Sequence, residues 1–279
     1  MRILRFLCVL MLLTACKGGQ TGNNAVPALK GSAPLRLDSI SISAGVPHNM
    51  AEMEMIARSL SGALDTIPVL KLLDKVKHNK GALDEFAQLA KTTWNDANSP
   101  YRNDELYLPV LRAQISSGLY DEASVIRLNY QENLLSQNRL GRKANDIEFM
   151  TRDGHSGHLY DISSRFTLLY FNNPGCNMCA EITAGLKASG IMSFLVSSGV
   201  LKILSIYPDE LLDEWLEHYD EQPSSWIRSY DKGCRILQNG TYNLAAIPSL
   251  YLLDANKTVL IKDASDVRQI ELAITNLLN

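Results

Sequence analysis

Residues 170–182 read YFNNPGCNMCAEI, the end of an apolar run, a break, and two cysteines three positions apart. The apolar run begins earlier, at Phe166, and FTLLYF is nearly continuous through Phe171. A run of that length without alternation marks a central strand covered on both faces. Asn172-Asn173-Pro174-Gly175 interrupts it, and a helix is expected from Cys176. A cysteine at a helix N-terminus meets unpaired N–H groups and the positive end of the macrodipole, which stabilise a thiolate. A second cysteine one turn on is placed to resolve a mixed disulfide. The spacing alone leaves a redox couple, half of a metal site and two unrelated thiols all open.

The surrounding pattern places this stretch in an α/β region. Ile147–Met150 alternates enough for a strand, and Leu159–Ile162 follows an Arg152-Asp153-Gly154 turn. His155-Ser156-Gly157-His158 is expected in the loop there, as a solvated segment. LKILSIY, residues 201–207, is a second β-rich run, and residues 208–219 carry Leu211, Leu212, Trp215 and Leu216 at helical spacing. Residues 249–253 and 258–261 read as a hairpin about Asp254-Ala255-Asn256-Lys257, and residues 266–278 as an amphipathic closing helix. Strand, helix, strand, helix, hairpin, helix describes an α/β sandwich.

Ahead of it, residues 47–140 read as all-helical. Met50, Met53, Ile56, Ala57 and Leu60 recur at three- and four-residue spacing, and so do Leu70, Leu73 and Val76, then Leu83, Phe86, Leu89 and Ala90. Further segments are expected over 105–117 and 122–140, with Gly81, Pro100 and Gly118 as breakers between segments. The methionines at 50, 53 and 55 are read as gap-filling core side chains; a soft-metal site is the other use of such a stripe. Nothing in this half forms a catalytic constellation.

The chain of 279 residues is 46% hydrophobic and 20% charged, with a formal net charge of −3 and five cysteines. This is ordinary globular composition, and the absence of a basic stripe gives a nucleic-acid partner no electrostatic support. The odd cysteine count requires sorting by position. MRILRFLCVLMLLTAC opens with Arg2 and Arg5, then an apolar run too short to span a bilayer, then Leu13-Thr14-Ala15-Cys16. This resembles a bacterial lipoprotein signal, with residues 1–15 removed and Cys16 lipidated. An ordinary secretory signal is the alternative. Residues 16–46, rich in Gly, Ser, Asn and Pro, read as a flexible tether. The remaining thiols, Cys176, Cys179 and Cys234, then lie outside the cytoplasm, where disulfides persist.

A zinc site would need ligands beyond Cys176 and Cys179. Cys234, His155 and His158 are the candidates, but no second C-x-x-C or well-spaced histidine pair completes a set, so no metal is expected. Cys234 is read as a packed bystander, with a relay thiol as the alternative.

Residues 141–279 resemble the thioredoxin-like domain of the TlpA/ResA-type thiol-disulfide oxidoreductases. The likeness is carried by Gly141…Ala144…Asp146, by the strand leading to Cys176-Asn177-Met178-Cys179, by the Trp-bearing segment 208–226, and by Ala246-Ile247-Pro248-Ser249-Leu250-Tyr251. The resemblance implies a cis Pro248 beside the dithiol and an Ile247 backbone that receives an extended substrate segment. It also implies a redox-active disulfide in place of a cofactor, and protein thiols or disulfides plus a redox partner as its contacts. The sequence departs from thioredoxin at Gly175, where an aromatic residue is usual, and at the Asn177-Met178 pair, where Gly-Pro is. It departs again at Tyr170, where thioredoxin has a buried carboxylate. The helical region resembles an uncharacterised domain that precedes such modules in Bacteroidales-type lipoproteins, which implies no activity of its own.

The leading expectation is an enzyme: an extracytoplasmic oxidoreductase held by lipid on Cys16, on the periplasmic side of a gram-negative envelope. Cys176 would exchange, Cys179 resolve, and Ile247 with Pro248 position the substrate. A thioredoxin-fold binding module recruiting a partner through the helical region is the rival, since a fold does not guarantee its usual chemistry. An accessory lipoprotein for assembly or nutrient uptake is the third reading.

Overall fold

A computed structural model describes residues 45–60, 65–264 and 266–278. The leader, Cys8, Cys16 and the tether through residue 44 lie outside the described residues.

The first part is helical: α1 (Met50–Ser59), α2 (Ile67–Val76), α3 (Lys80–Ala90), a π-turn over Lys91–Asn95, α4 (Asp104–Ser116) and α5 (Glu122–Ser136). Short polar side chains start most of these helices. Asn49 accepts from the Glu52 N–H at 3.0 Å while Glu52 reaches back to the His48 N–H at 2.9 Å, a reciprocal cap. Asn79 caps α3 by accepting from the Ala82 N–H at 3.1 Å. Gly81 therefore sits in the first turn of α3; Asn79, not the glycine, makes the boundary. Met53 is fully buried while Met55 is exposed, so the methionines contribute a core side chain and not a shared ligand face. Leu72, Leu83, Phe86, Trp94, Leu106 and Leu111 complete the interior. At about 1.5–3 kcal/mol for each fully buried large apolar side chain, this packing outweighs the helices' modest intrinsic propensities.

α5 ends at Ser136, four residues short of the sequence expectation. Gln137 and Asn138, the latter at φ +50°, turn out of the helix. Their amides donate to the carbonyls of Gly240 and Thr241, each at 2.8 Å, and so tie the helical region to the sheet region.

The sheet comprises β1 (Glu148–Thr151), β2 (Ser156–His158), β3 (Phe166–Phe171), β4 (Leu201–Tyr207), β5 (Ile227–Tyr230), β6 (Ser249–Asp254) and β7 (Val259–Lys262), in spatial order β2-β1-β5-β4-β3-β6-β7. β3 runs parallel to β4, β4 parallel to β5, and the remaining neighbours are antiparallel. All six β3 residues are buried. Leu168 and Tyr170 face one layer with α6 (Asn177–Ala188), α7 (Gly190–Ser197) and α10 (Val267–Leu278). Leu169 and Phe171 face the other, with Tyr242, Tyr251 and Ile236 of α9 (Arg235–Gln238).

Two further expectations require correction. Residues 156–158 form β2 and not a loop, joined to β1 by the turn expected at Arg152-Asp153-Gly154, where the Gly154 N–H donates to the Thr151 carbonyl at 3.0 Å. Gly157 is there because a Cβ would lie 2.7 Å from Cζ of Phe149 across the hairpin, and only glycine allows that approach. The helix expected over 208–219 is confined to α8 (Leu212–Glu217), followed by a 3-10 turn at Tyr219–Glu221. The Asp209 carboxylate accepts from the adjacent Glu210 N–H at 2.7 Å, a local bond that competes with helix formation. Leu159–Asp161, directly after β2, forms a single 3-10 turn.

Candidate active site

β3 delivers the site. Beyond Phe171, the buried Asn172 side chain donates to the Tyr170 carbonyl at 3.1 Å and to Ser205 Oγ at 2.7 Å, and accepts from Gln222 Nε2 at 2.8 Å. These three bonds fix where the chain leaves the sheet. Gly175 then adopts φ +69°, the left-handed conformation that turns the chain into α6.

Cys176 is the N-cap of α6, and its Sγ accepts from the Cys179 N–H at 3.2 Å. The two cysteines are joined as a disulfide across the first helical turn, with Cα atoms 5.2 Å apart. They differ in access: Cys179 is buried at 4% exposure, while Cys176 is half-buried. The incoming reagent therefore meets Cys176 first. The Ile247–Pro248 peptide is cis, and the Ile247 carbonyl lies 3.9 Å from Cys176 Sγ. β3 and β6 pair with Phe171 opposite Ser249, so the loops before Cys176 and before Ser249 leave the sheet side by side.

Tyr170 lies behind the dithiol. Its hydroxyl donates to the Cys179 carbonyl at 2.7 Å and lies 3.1 Å from Thr183 Oγ1. Burial pushes its pKa up to about 12, so it holds its proton at neutral pH and serves as a strut, not a base. Glu181 is exposed and does not line the dithiol cleft.

That cleft, about 210 Å³, is walled by Cys176, Cys179, Thr183, Lys187, Trp215 and His218. Sequence reasoning passed over His218, whose Nδ1 lies 2.7 Å from Glu221 Oε1. The bond to Glu221 raises the His218 pKa above the ordinary imidazole value. Arg228 of β5 holds this wall by donating to the carbonyls of Tyr219 and Gln222, each at 3.2 Å, while its guanidinium lies 3.8 Å from the Tyr219 ring centre. The segment 208–226 thus forms one side of the cleft, although nothing in its sequence pattern announces His218 as part of it.

Cys234 begins α9 at φ +50° and does not line the dithiol cleft; burial first, then the Asp231 carboxylate, pushes its thiol up and keeps it protonated. His155 and His158 sit on the exposed β1–β2 hairpin, each beside an aspartate, Asp153 at 2.7 Å and Asp146 at 3.1 Å. Among the described residues no cluster of three or more His, Cys, Asp or Glu is placed to hold a metal ion.

Residues 60–138 match a domain of unknown function, DUF5106. Of solved structures, a thioredoxin-like protein from Bacteroides caccae is 36% identical, with a TM-score of 0.74, over 82% of this chain and 88% of that one. The C-terminal domain of an uncharacterized protein from Bacteroides fragilis is 46% identical over 50% of this chain and 98% of its own, with a TM-score of 0.48. The thioredoxin domain of a thiol-disulfide oxidoreductase from Bacteroides vulgatus is 19% identical over 50% of this chain and 99% of its own, with a TM-score of 0.44. No curated protein matches the chain.

Proposed function

The chain belongs to the thioredoxin-like proteins, and from that premise we propose that it is a thiol-disulfide oxidoreductase acting on proteins outside the cytoplasm. One observation carries the reading: a disulfide closed over a helix N-terminus, its outer sulfur half-buried beside a cis-proline loop and its inner sulfur buried.

In the reducing direction, the Cys176 thiolate attacks one sulfur of a substrate disulfide. The substrate S–S bond breaks, and its electron pair leaves with the other substrate sulfur, which takes up a proton. Cys179, once deprotonated, attacks Cys176 Sγ; the Cys176–Cys179 bond forms and the second substrate thiol is released. Two electrons pass to the substrate, and a partner dithiol must return them. With the partner reversed, the same steps oxidise a substrate dithiol. The redox group is the cysteine pair itself. Ile247 and Pro248 position the incoming segment, the Ile247 backbone offering strand-like pairing.

Lipid on Cys16 would hold the enzyme at the periplasmic side of the envelope, and more than one acyl chain makes such anchoring stable. Loss of labelled fatty-acid incorporation in Cys16→Ala tests the anchor separately from the chemistry.

For the chemistry, Cys179→Ala should accumulate a mixed disulfide through Cys176, and Cys176→Ala should lose all exchange. A wild-type chain that neither reduces a model disulfide nor oxidises a dithiol defeats the enzyme reading.

A further inference from the structure

The helical region meets the proline loop. A cleft of about 400 Å³ lies between them, with Gln88, Thr92, Asn95 and Gln131 from the helical side and Asn243 and Ala245 from the loop. That volume falls within the range of about 300–1,000 Å³ common for ligand sites. Ala245 is exposed and only two residues before Ile247, whose carbonyl faces Cys176 Sγ at 3.9 Å. At about 3.3 Å per extended residue, a strand laid along Ile247 reaches this cleft within two or three residues.

We propose that this cleft is the continuation of the substrate groove, and that the helical region binds the stretch of substrate protein flanking the disulfide. The inference rests on the oxidoreductase reading and adds to it a second contact. The side chains contributed by Gln88, Asn95, Gln131 and Asn243 are amides, each with donors and an acceptor. Lys91 and Asp96, of opposite charge, also line the cleft, and Arg102 is paired with Asp263. No sign of charge dominates, so the lining suits an extended polar segment without net charge, whose main-chain groups also need both kinds of partner. The buried Nε of Arg102, another lining residue, has no hydrogen-bond partner among the described residues.

The wall is built to hold still. Thr92 and Asn95 lie on the π-turn, a wider turn than the α-helix it extends, whose Trp94 is fully buried. Arg102 is 3.2 Å from Asp263, and Ser249, next to Pro248, lies 3.2 Å from Asp263 through its hydroxyl. Asp104 of α4 is 2.6 Å from Lys262. The helical wall and the proline loop are thus fastened to the same short segment, so a substrate touching both meets a preorganised surface.

The test uses the full chain with two oxidised substrates, glutathione disulfide and a disulfide-bonded peptide of a dozen uncharged residues. Gln88→Trp and Thr92→Trp obstruct the cleft from exposed positions, with thermal unfolding as the control for folding. We expect kcat/KM for the peptide to fall about tenfold, mainly through KM, with glutathione disulfide reduced as by wild type. Equal losses on both substrates, or unchanged peptide turnover in both folded variants, overturn the cleft assignment alone. A wild-type chain that exchanges with neither substrate overturns the oxidoreductase reading and the cleft with it.

Discussion

The Tyr170 hydroxyl donates to the main-chain carbonyl of Cys179 at 2.7 Å, from the position where thioredoxin places a carboxylate. A group that could shuttle a proton has been replaced by one that braces the first turn of α6. With a pKa pushed up to about 12 by burial, Tyr170 is neutral wherever exchange is measured. Tyr170→Phe should therefore leave the pH profile of exchange unchanged below about pH 10, the ordinary tyrosine range. Stability should fall by about 1 kcal/mol for the lost hydrogen bond, read from urea unfolding. The sign of the linkage follows from the raised value: stability due to the neutral hydroxyl is intact below the unfolded tyrosine pKa and is lost as pH rises toward 12.

Gly175 carries the left-handed turn into the dithiol helix. A Cβ there meets nothing nearer than Glu214 Oε1 at 3.9 Å, so substitution is penalised by backbone conformation alone. Gly175→Ala should cost about 1–2 kcal/mol, and Gly175→Asn less, because asparagine tolerates this region better. The ordering of the two variants in chemical denaturation is the check.

His218 titrates above the ordinary imidazole because Glu221 holds its protonated form. A raised value means that the contribution to stability is full below the unfolded histidine pKa and disappears as pH rises through the folded one. Glu221→Gln should bring the His218 midpoint down, as followed by NMR of the ring protons. An unmoved midpoint would show that the other carboxylates nearby, Glu217 and Glu214, set it instead.

Lys262 and Asp104, 8% and 6% exposed, form a nearly dry ion pair between the helical region and β7. Removing one partner strands the other. Asp104→Ala should cost about 3–5 kcal/mol, whereas Asp104→Leu with Lys262→Met together should restore stability to near wild type or above. Urea unfolding of the two singles and the double decides it.

The parts of this molecule that sequence reveals are those decided by local chemistry. FTLLYF admits only a two-sided strand, and Cys176 caps the helix that its neighbours predict. What stayed hidden depends on distant partners. β2 looks like a loop until Phe149 is laid across Gly157. β5 reads Ile-Arg-Ser-Tyr, with Ser229 its only fully buried residue, too short and mixed a pattern to register as a strand. Segment 208–226 has helical spacing, yet its role as the wall carrying His218 comes from Arg228 gripping it from β5. The ion pairs that bind the helical region to Lys262 of β7 and to Asp263 just beyond it join residues more than 150 positions apart, and no local pattern encodes them.

The pairing of Phe171 with Ser249 has a consequence in time. Cys176 leaves the ribosome more than seventy residues ahead of Pro248. Until β6 docks, the chain carries two thiols at the start of a helix with no proline loop beside them. Such a nascent dithiol can be oxidised or captured by others, and it lacks the Ile247 backbone that comes to lie beside Cys176. The dithiol's surroundings are thus completed late, when the β6–β7 hairpin zips onto β3, a strand synthesised well before it.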